Sequence, residues 1–332
     1  MGHHANPKAR IVSALERRFG NIHPNTAVKR LATDLYLRFR LTGPPFNPFE
    51  YAKRLGISVE FGCIEAEGVL TNTAALRRFN AEEQETDFTA APEGMFTDNP
   101  QSGPRIVLRK PSESSHEGWE RRRNFTLAHE IAHYVIRRAI SAQMPTFEVD
   151  DPEEEMLCNT FAAELLMPAR LLCDDLKHHG LSPDPLIYLH DRYCVSLQSL
   201  LCRVTDLYHG SLIAAIWVRT QGQPNVAWAS PFQFRRLVLC DTGETAIERA
   251  FRSLGTETSD DNLLRDGERM RFHVVAKRLS AASKILSILY RRSDFSRRRV
   301  PLERRLFVTT GPGVPVQMLL PLSTANSESI LP

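Results

Sequence analysis

The sequence predicts an α+β chain with a mostly helical first part that carries a small sheet, then two short helices, then an α/β C-terminal segment. Two strong helical patterns occupy the middle of the 332-residue chain, and short alternating segments precede them. After Gly210, β-like runs replace the helical spacing. The length allows two or three domains, because one hydrophobic core usually serves about 100–200 residues.

The composition is that of an ordinary globular protein, with 42% hydrophobic residues, 24% charged residues and a net charge of +3. These values exclude a mostly disordered or collagen-like chain. The net charge is too small to argue for nucleic acid by itself. No apolar run approaches the ~20 residues that cross a bilayer, and the first residues lack the apolar stretch of a secretory signal. We therefore expect a cytoplasmic protein with no membrane partner.

The six cysteines are scattered along the chain and never form a C-x-x-C pair. They are Cys63, Cys158, Cys173, Cys194, Cys202 and Cys240. We interpret them as reduced, mostly buried small side chains, and we do not expect a cysteine zinc site.

The first hundred residues predict an arm, then short helices and strands. Residues 1–24 are expected to be a flexible arm. Helical spacing runs from Pro24 to Tyr36, and the Gly43-Pro44-Pro45 breaker follows it. A short helix is expected to open at residues 47–50, and strands are expected at 57–61 and 105–108.

Two longer helices are predicted next. Apolar spacing from Trp119 to about Ile140 predicts the first. The second has Asp151 as its N-cap and Pro152 at its first position, and it is expected to end near Pro168. Shorter helices are expected at residues 170–179, 185–193 and 196–208.

The C-terminal segment is predicted to form strands on both sides of one helix. A helix is expected at about residues 267–290. Short β-like runs are expected on both sides of it, at residues 211–218, 226–229, 237–239, 307–309 and 316–320.

Residues 129–133 read His-Glu-Ile-Ala-His, inside the first long helix. Side chains four residues apart lie on one helix face, so His129 and His133 can reach the same ion. Glu130 follows the first histidine and can act as a general base without binding the metal. Burying two histidines and a glutamate among apolar residues would be costly without a metal or partners.

A catalytic zinc needs a third protein ligand and one open position. The extension typical of metzincins is absent, because Ile136 and Ala139 occupy the positions of its glycine and histidine. The second long helix offers three successive glutamates, of which Glu155 shares a face with Asn159. We predict Glu155 as the third ligand and Asn159 as a residue that orients a ligand, with a purely structural hydrogen bond as the alternative for Asn159.

The segments Phe-Thr-Leu-Ala-His-Glu-Ile-Ala-His at 125–133 and Glu-Met-Leu-Cys-Asn-Thr-Phe-Ala-Ala-Glu-Leu-Leu-Met-Pro at 155–168 resemble the two motif helices of the ImmA/IrrE metallopeptidase family. The resemblance implies a zincin-like peptidase domain over residues 25–182. It carries the metal ligands onto His129, His133 and Glu155, and the general base onto Glu130. The implied ion is Zn²⁺, with Mn²⁺ as an alternative.

The remainder resembles the longer, IrrE-like members of that family. The resemblance implies a helix-turn-helix-like unit at residues 183–210 and a GAF-like sensor domain at residues 211–332. The helical unit can be a DNA-binding element or a hairpin packed on the peptidase, and the scarcity of basic residues at 196–203 favours the hairpin.

The family resemblance implies a regulatory endopeptidase. Its expected substrate is a Cro/cI-type helix-turn-helix repressor, whose cleavage induces stress-response, DNA-damage-response or mobile-element genes. The alternative hypothesis is a non-proteolytic DNA- or partner-binding regulator with a structural zinc site. An intact Glu130 favours the peptidase, because a structural site needs no base.

Overall fold

The structure is a computed structural model of the chain, and it describes residues 10–20, 22–41, 43–62, 94–99, 103–109, 118–141, 152–209, 211–240, 245–279 and 284–291. The expected strands at 307–309 and 316–320 and the N-cap residue Asp151 lie outside these ranges. Within them the chain is a mixture of helix and sheet, as the sequence predicts.

The first part is a helical assembly with a three-stranded sheet. Its helices are α1 (Arg10–Phe19), α2 (Pro24–Phe39), α3 (Pro48–Arg54), α4 (Trp119–Ile140), α5 (Pro152–Leu166) and α6 (Ala169–His179). Its strands are β1 (Ser58–Gly62), β2 (Gly94–Asn99) and β3 (Gly103–Arg109), in the order β1-β3-β2. Strand β3 pairs parallel with β1 and antiparallel with β2.

Local chemistry sets several of these boundaries. The Asn47 side chain accepts a hydrogen bond of 3.0 Å from the Phe49 amide and so caps the N-terminus of α3, whose first residue is Pro48. Helix α6 ends at His179, and Gly180 follows it with a φ of 92°, which suits a residue without a Cβ. The long helices α4 and α5 have the bounds that the apolar spacing predicts to within two residues.

Two shorter helices connect the two parts of the structure, α7 (Pro183–Arg192) and α8 (Leu197–Leu207). After them comes a six-stranded antiparallel sheet in the order β5-β4-β9-β8-β7-β6. Its elements are β4 (Leu212–Thr220), β5 (Gln223–Ser230), β6 (Val238–Leu239), the short helix α9 (Ala246–Ala250), β7 (Thr256–Arg265), β8 (Glu268–Arg278) and β9 (Lys284–Tyr290).

The second sheet is buried on both faces, and one face belongs to the core of the helical part. Along β4, Leu212, Ala214 and Ile216 point into the core that the helices share. The alternate residues, including Trp217, point into a second core that α9 covers. The predicted boundary at residue 210 therefore does not separate the two hydrophobic cores cleanly, because the core of the helices continues onto one face of the second sheet.

The expectation of a flexible arm over residues 1–24 differs from the structure for the part that is described. Residues 10–19 form α1, and Ile11, Ala14 and Leu15 are fully buried against the helical core. These positions follow the i, i+3, i+4 spacing of an amphipathic helix, which the sequence reading overlooked.

The helix expected at about residues 267–290 is wrong. The segment forms strands β8 and β9 instead. Met270, Phe272 and Val274 alternate with exposed or half-buried residues over the first part of β8, and with Ala276 they lie in the second core. A period of two fits a strand, and Gly267 with a φ of 84° closes the turn from β7.

Among the described helices, none is by itself long and apolar enough to span a membrane. The bent pair α5 and α6 passes that test only when the two are taken together.

Candidate metal centre

The site is built where α4 and α5 pack side by side. His129, His133 and Arg137 recur every four residues and form one stripe along α4. Helix α5 offers Glu154, Glu155, Cys158 and Asn159, which form a matching stripe. Ala128 and Ala132 on α4 and Ala162 on α5 are fully buried, and their small size allows the two helices to approach closely.

Three donor groups converge between the helices. The Nε2 atoms of His129 and His133 lie 3.2 Å apart. One carboxylate oxygen of Glu155 is 3.0 Å from the His129 Nε2, and its other oxygen is 3.3 Å from the His133 Nε2. The structure thus brings together the three side chains that the sequence predicts as metal ligands.

The other nitrogen of His133 is held by a buried carboxylate. Its Nδ1 lies 2.8 Å from Glu154, whose side chain is only 3% exposed. Arg137 donates two hydrogen bonds to the same carboxylate, one from its Nε at 2.6 Å and one from a terminal nitrogen at 3.2 Å. A carboxylate so paired accepts a proton poorly, so the His133 Nδ1 donates to it and the Nε2 keeps its lone pair.

His129 is oriented in a similar way by Asn159. The His129 Nδ1 is 3.0 Å from the Asn159 side-chain oxygen, which can only accept a hydrogen bond. The His129 Nε2 therefore also carries a lone pair. When both imidazoles are neutral, two lone pairs and one carboxylate therefore face each other, and a proton or a metal cation at that point would satisfy all three.

The electrostatics of these groups favour positive charge at this point. Burial opposes protonation of His133, but Cys158, Glu154 and Glu155 outweigh it and raise the pKa of His133 well above its ordinary value. Burial likewise favours the neutral acid of Glu155, yet hydrogen bonds with His129 and His133 hold the pKa of Glu155 far below its usual range. A site that holds a proton this strongly is suited to a metal ion, which takes the proton's place.

The spacing of the donors fits zinc. Zinc bound to imidazole nitrogen and carboxylate oxygen at ~2.0–2.2 Å in a tetrahedron sets its ligands about 3.3–3.6 Å apart. The measured separations of 3.0, 3.2 and 3.3 Å lie close to that range. The donor set therefore fits the ion with little movement.

Two further groups adjoin the three donors. Glu130, next to His129 on α4, is buried with 7% of its surface exposed. Cys158 is fully buried, and one ligand atom from each of His129, His133 and Cys158 can be chosen so that all lie within 4.8 Å of one another. Burial raises the pKa of the Cys158 thiol to about 11, although the neighbouring His133 opposes that rise.

The sequence reading missed Glu154, Arg137 and Cys158. The sequence favours only Glu155 among the three successive glutamates, and it indicates Cys158 only as an ordinary buried side chain. The spacing did contain a signal, since Arg137 continues the four-residue stripe of the histidines, and Cys158 lies one turn after Glu154. Which of the two adjacent glutamates faces the metal depends on how α5 is rotated, which no spacing rule fixes.

The helix pair α7 and α8 forms a turn at Cys194 and Val195, as predicted. However, Arg203, the one basic residue of residues 196–203, is 2% exposed and pairs with the buried Glu164 of α5. Its Nε also donates to the Met167 carbonyl at 3.2 Å. Arg203 is thus occupied in holding α8 on α5, and its guanidinium is not available to a phosphate.

Part of the chain is similar in sequence to known peptidases. Residues 77–205 match the peptidase family described as the IrrE N-terminal-like domain. The radiation response metalloprotease IrrE of Deinococcus deserti is 37% identical over 100 residues, which make up 29% of this chain and 36% of that protein. The match thus spans little more than a third of the relative's length.

The solved structure of a Mycobacterium tuberculosis transcriptional regulator aligns over 88% of this chain and 83% of its own. Its sequence identity is 14% and its TM-score is 0.45, too low to establish a common fold.

The class that residues 77–205 resemble is that of the metallopeptidases. Within that class, this segment is similar to the IrrE N-terminal-like domain.

Proposed function

We propose that the chain is a zinc-dependent regulatory endopeptidase. In this proposal His129, His133 and Glu155 hold the metal, Glu130 is the general base, and Asn159 orients His129. The observation that carries the proposal is the convergence of two imidazole Nε2 atoms and one carboxylate within 3.0–3.3 Å. The family match over residues 77–205 supports it.

The chemistry divides between the ion and the protein. When bound, zinc lowers the pKa of water to about 7 and polarises the scissile carbonyl. Glu130 takes the proton from the attacking water and delivers it to the departing amine nitrogen. Glu154 and Asn159 keep both imidazoles in the tautomer whose Nε2 faces the site.

The proposed substrate is a Cro/cI-type helix-turn-helix repressor, and its cleavage would induce stress-response or mobile-element genes. This part of the proposal rests on the family resemblance, as does the proposal that residues 211–332 are a GAF-like sensor. The burial of Arg203 and of most of α8 favours the packed hairpin over a DNA-reading helix.

A comparison of proteomes tests the proposal and identifies the substrate. Cells that produce the wild-type chain are compared with cells that produce Glu130→Gln, and shortened helix-turn-helix regulators are sought. Glu120→Gln is the matched control, because Glu120 lies on the same helix with 67% of its side chain exposed. One or two truncated repressors with the wild type and the control, but not with Glu130→Gln, are expected.

The second candidate is a non-proteolytic regulator with a structural zinc site. Cys158 favours it, because four protein ligands would close the coordination sphere as structural sites do. In that case no protein would be shortened, and wild type and Glu130→Gln would alter transcription equally.

A further inference from the structure

Cys158 lies beside the candidate metal site, although the sequence indicates only a small buried side chain at this position. It follows Glu155 by three positions and Glu154 by four, so it shares the face of α5 that carries the site. Its side chain is fully buried. The Cys158 sulfur and one ring nitrogen each of His129 and His133 lie within 4.8 Å of one another. The thiol is therefore a neighbour of both imidazoles.

The distances make coordination feasible. A tetrahedral zinc with a Zn–S bond of ~2.3 Å and Zn–N bonds of ~2.0–2.1 Å sets sulfur and nitrogen about 3.6 Å apart. The sulfur lies within 4.8 Å of one ring nitrogen of each imidazole, which exceeds that separation by at most about 1.2 Å. Coordination therefore requires the Cys158 side chain to move closer to the two imidazoles.

We propose that Cys158 is a fourth protein donor to the metal in the substrate-free protein, beside His129, His133 and Glu155. This inference rests on the metal site of the proposed function and adds a sulfur ligand to it. With zinc bound, the Cys158 thiol would lose its proton to solvent, and its sulfur would hold the fourth position until a substrate carbonyl replaced it. A soft sulfur donor also selects zinc over manganese, which prefers oxygen ligands.

The direct test is the electronic spectrum of the protein loaded with one equivalent of Co²⁺. A thiolate ligand gives an intense sulfur-to-cobalt charge-transfer band in the near ultraviolet, and a site of two histidines and a glutamate gives none. The band is expected in the wild type and absent in Cys158→Ala. Cys173→Ala is the matched control, because Cys173 is also a buried free cysteine, and it should keep the band.

Metal affinity supplies an independent readout. We expect Cys158→Ala to lose on the order of ten-fold or more in zinc affinity, the scale on which single partners of a metal site act. Its manganese affinity should change much less, so the ratio of the two affinities should fall. The same ratio measured in Cys173→Ala should match the wild type.

The outcomes separate this inference from the proposed function. If wild-type protein binds Co²⁺ and zinc but shows no sulfur band, Cys158 is not a ligand and the three-ligand peptidase site stands. An unchanged zinc-to-manganese ratio in Cys158→Ala would also overturn the inference. If the wild type and Cys173→Ala retain neither ion, both the sulfur ligand and the proposed metal site are wrong.

Discussion

At the scale of single residues, the site depends on how its two histidines are held. His133 is fixed by a carboxylate that is itself fixed by Arg137, and His129 is fixed by Asn159. These partners set the tautomers, and the tautomers decide whether both Nε2 atoms can bind one ion. The chain of contacts from Arg137 through Glu154 to His133 makes Glu154 as important to the site as the predicted ligands.

Glu154→Gln tests this role of Glu154. The amide cannot serve both His133 and Arg137 as the carboxylate does, so we expect zinc affinity to fall by roughly 10–100-fold. Isothermal titration with zinc measures the change. Glu120→Gln, on the exposed face of α4, should bind zinc as the wild type does. Unaltered zinc affinity in Glu154→Gln would mean that His133 does not need this partner.

Glu130→Gln separates base chemistry from metal binding. Removing a general base typically costs 10²–10⁴-fold in rate, and we expect a loss of about that size. Zinc content should stay at the wild-type level, since Glu130 is not among the proposed ligands. The measurement is cleavage of the identified repressor by purified, zinc-loaded protein. Full activity in the variant would remove Glu130 from the mechanism.

At the scale of the elements, α8 is attached to the peptidase helices by a buried ion pair. Arg203 and Glu164 are both almost inaccessible, and Glu164 also accepts a hydrogen bond of 3.0 Å from the Ala169 amide at the start of α6. One pair thus connects α5, α6 and α8. A helix held in this way is packed into the core along the face that carries Arg203.

Arg203→Met tests whether that pair is structural. Removing one partner of a buried pair leaves an uncompensated charge and typically costs about 3–5 kcal/mol, so the free energy of unfolding should fall by that amount. Urea denaturation measures it, and the double variant Arg203→Met with Glu164→Leu should recover much of the loss. A variant of wild-type stability that loses binding to DNA would instead support a recognition helix.

The elements also show where sequence reasoning succeeds. The long helices α4 and α5 combine apolar spacing, proline punctuation and functional motifs, and these signals agree. The segment that forms β8 and β9 was misread, because its residues carry apolar side chains at spacings compatible with both periods. The pairing of β9 with β4 joins residues more than sixty positions apart, and no local pattern specifies it.

The residues of the site also divide into those that a pattern along one helix predicts and those that depend on contacts between two helices. The five residues predicted from the sequence, His129, Glu130, His133, Glu155 and Asn159, lie on the motif helices, where spacing along one helix carries the information. The relations missed are those between helices: Glu154 with Arg137, and Cys158 with the two histidines. They depend on the rotation of α5 against α4, which spacing along one helix does not specify.

At the scale of the whole molecule, the helical part and the second sheet share one core. Leu286 and Ile288 of β9 lie in the same cluster as the residues of α4 and α5. On the surface, Asp184 of α7 binds both Lys277 of β8 and the Thr256 hydroxyl, the latter at 2.8 Å. A change in the packing of the second sheet can therefore alter the positions of the helices that carry the site.

A chain shortened to residues 1–210 tests this continuity. Without the sheet, the apolar residues that face β4 and β9 would be exposed, and we expect aggregation or a clearly lower melting temperature. Thermal unfolding followed by circular dichroism compares it with the full chain. A fragment that melts as the full chain does, with its zinc retained, would show that the domain boundary at residue 210 is also a boundary of stability.

The most direct test of the metal centre is a crystal structure of the zinc-loaded protein with anomalous data at the zinc edge. The account predicts one strong peak between α4 and α5, within bonding distance of the Nε2 atoms of His129 and His133 and of a Glu155 oxygen. A peak at any other place, or none between these helices, would contradict it.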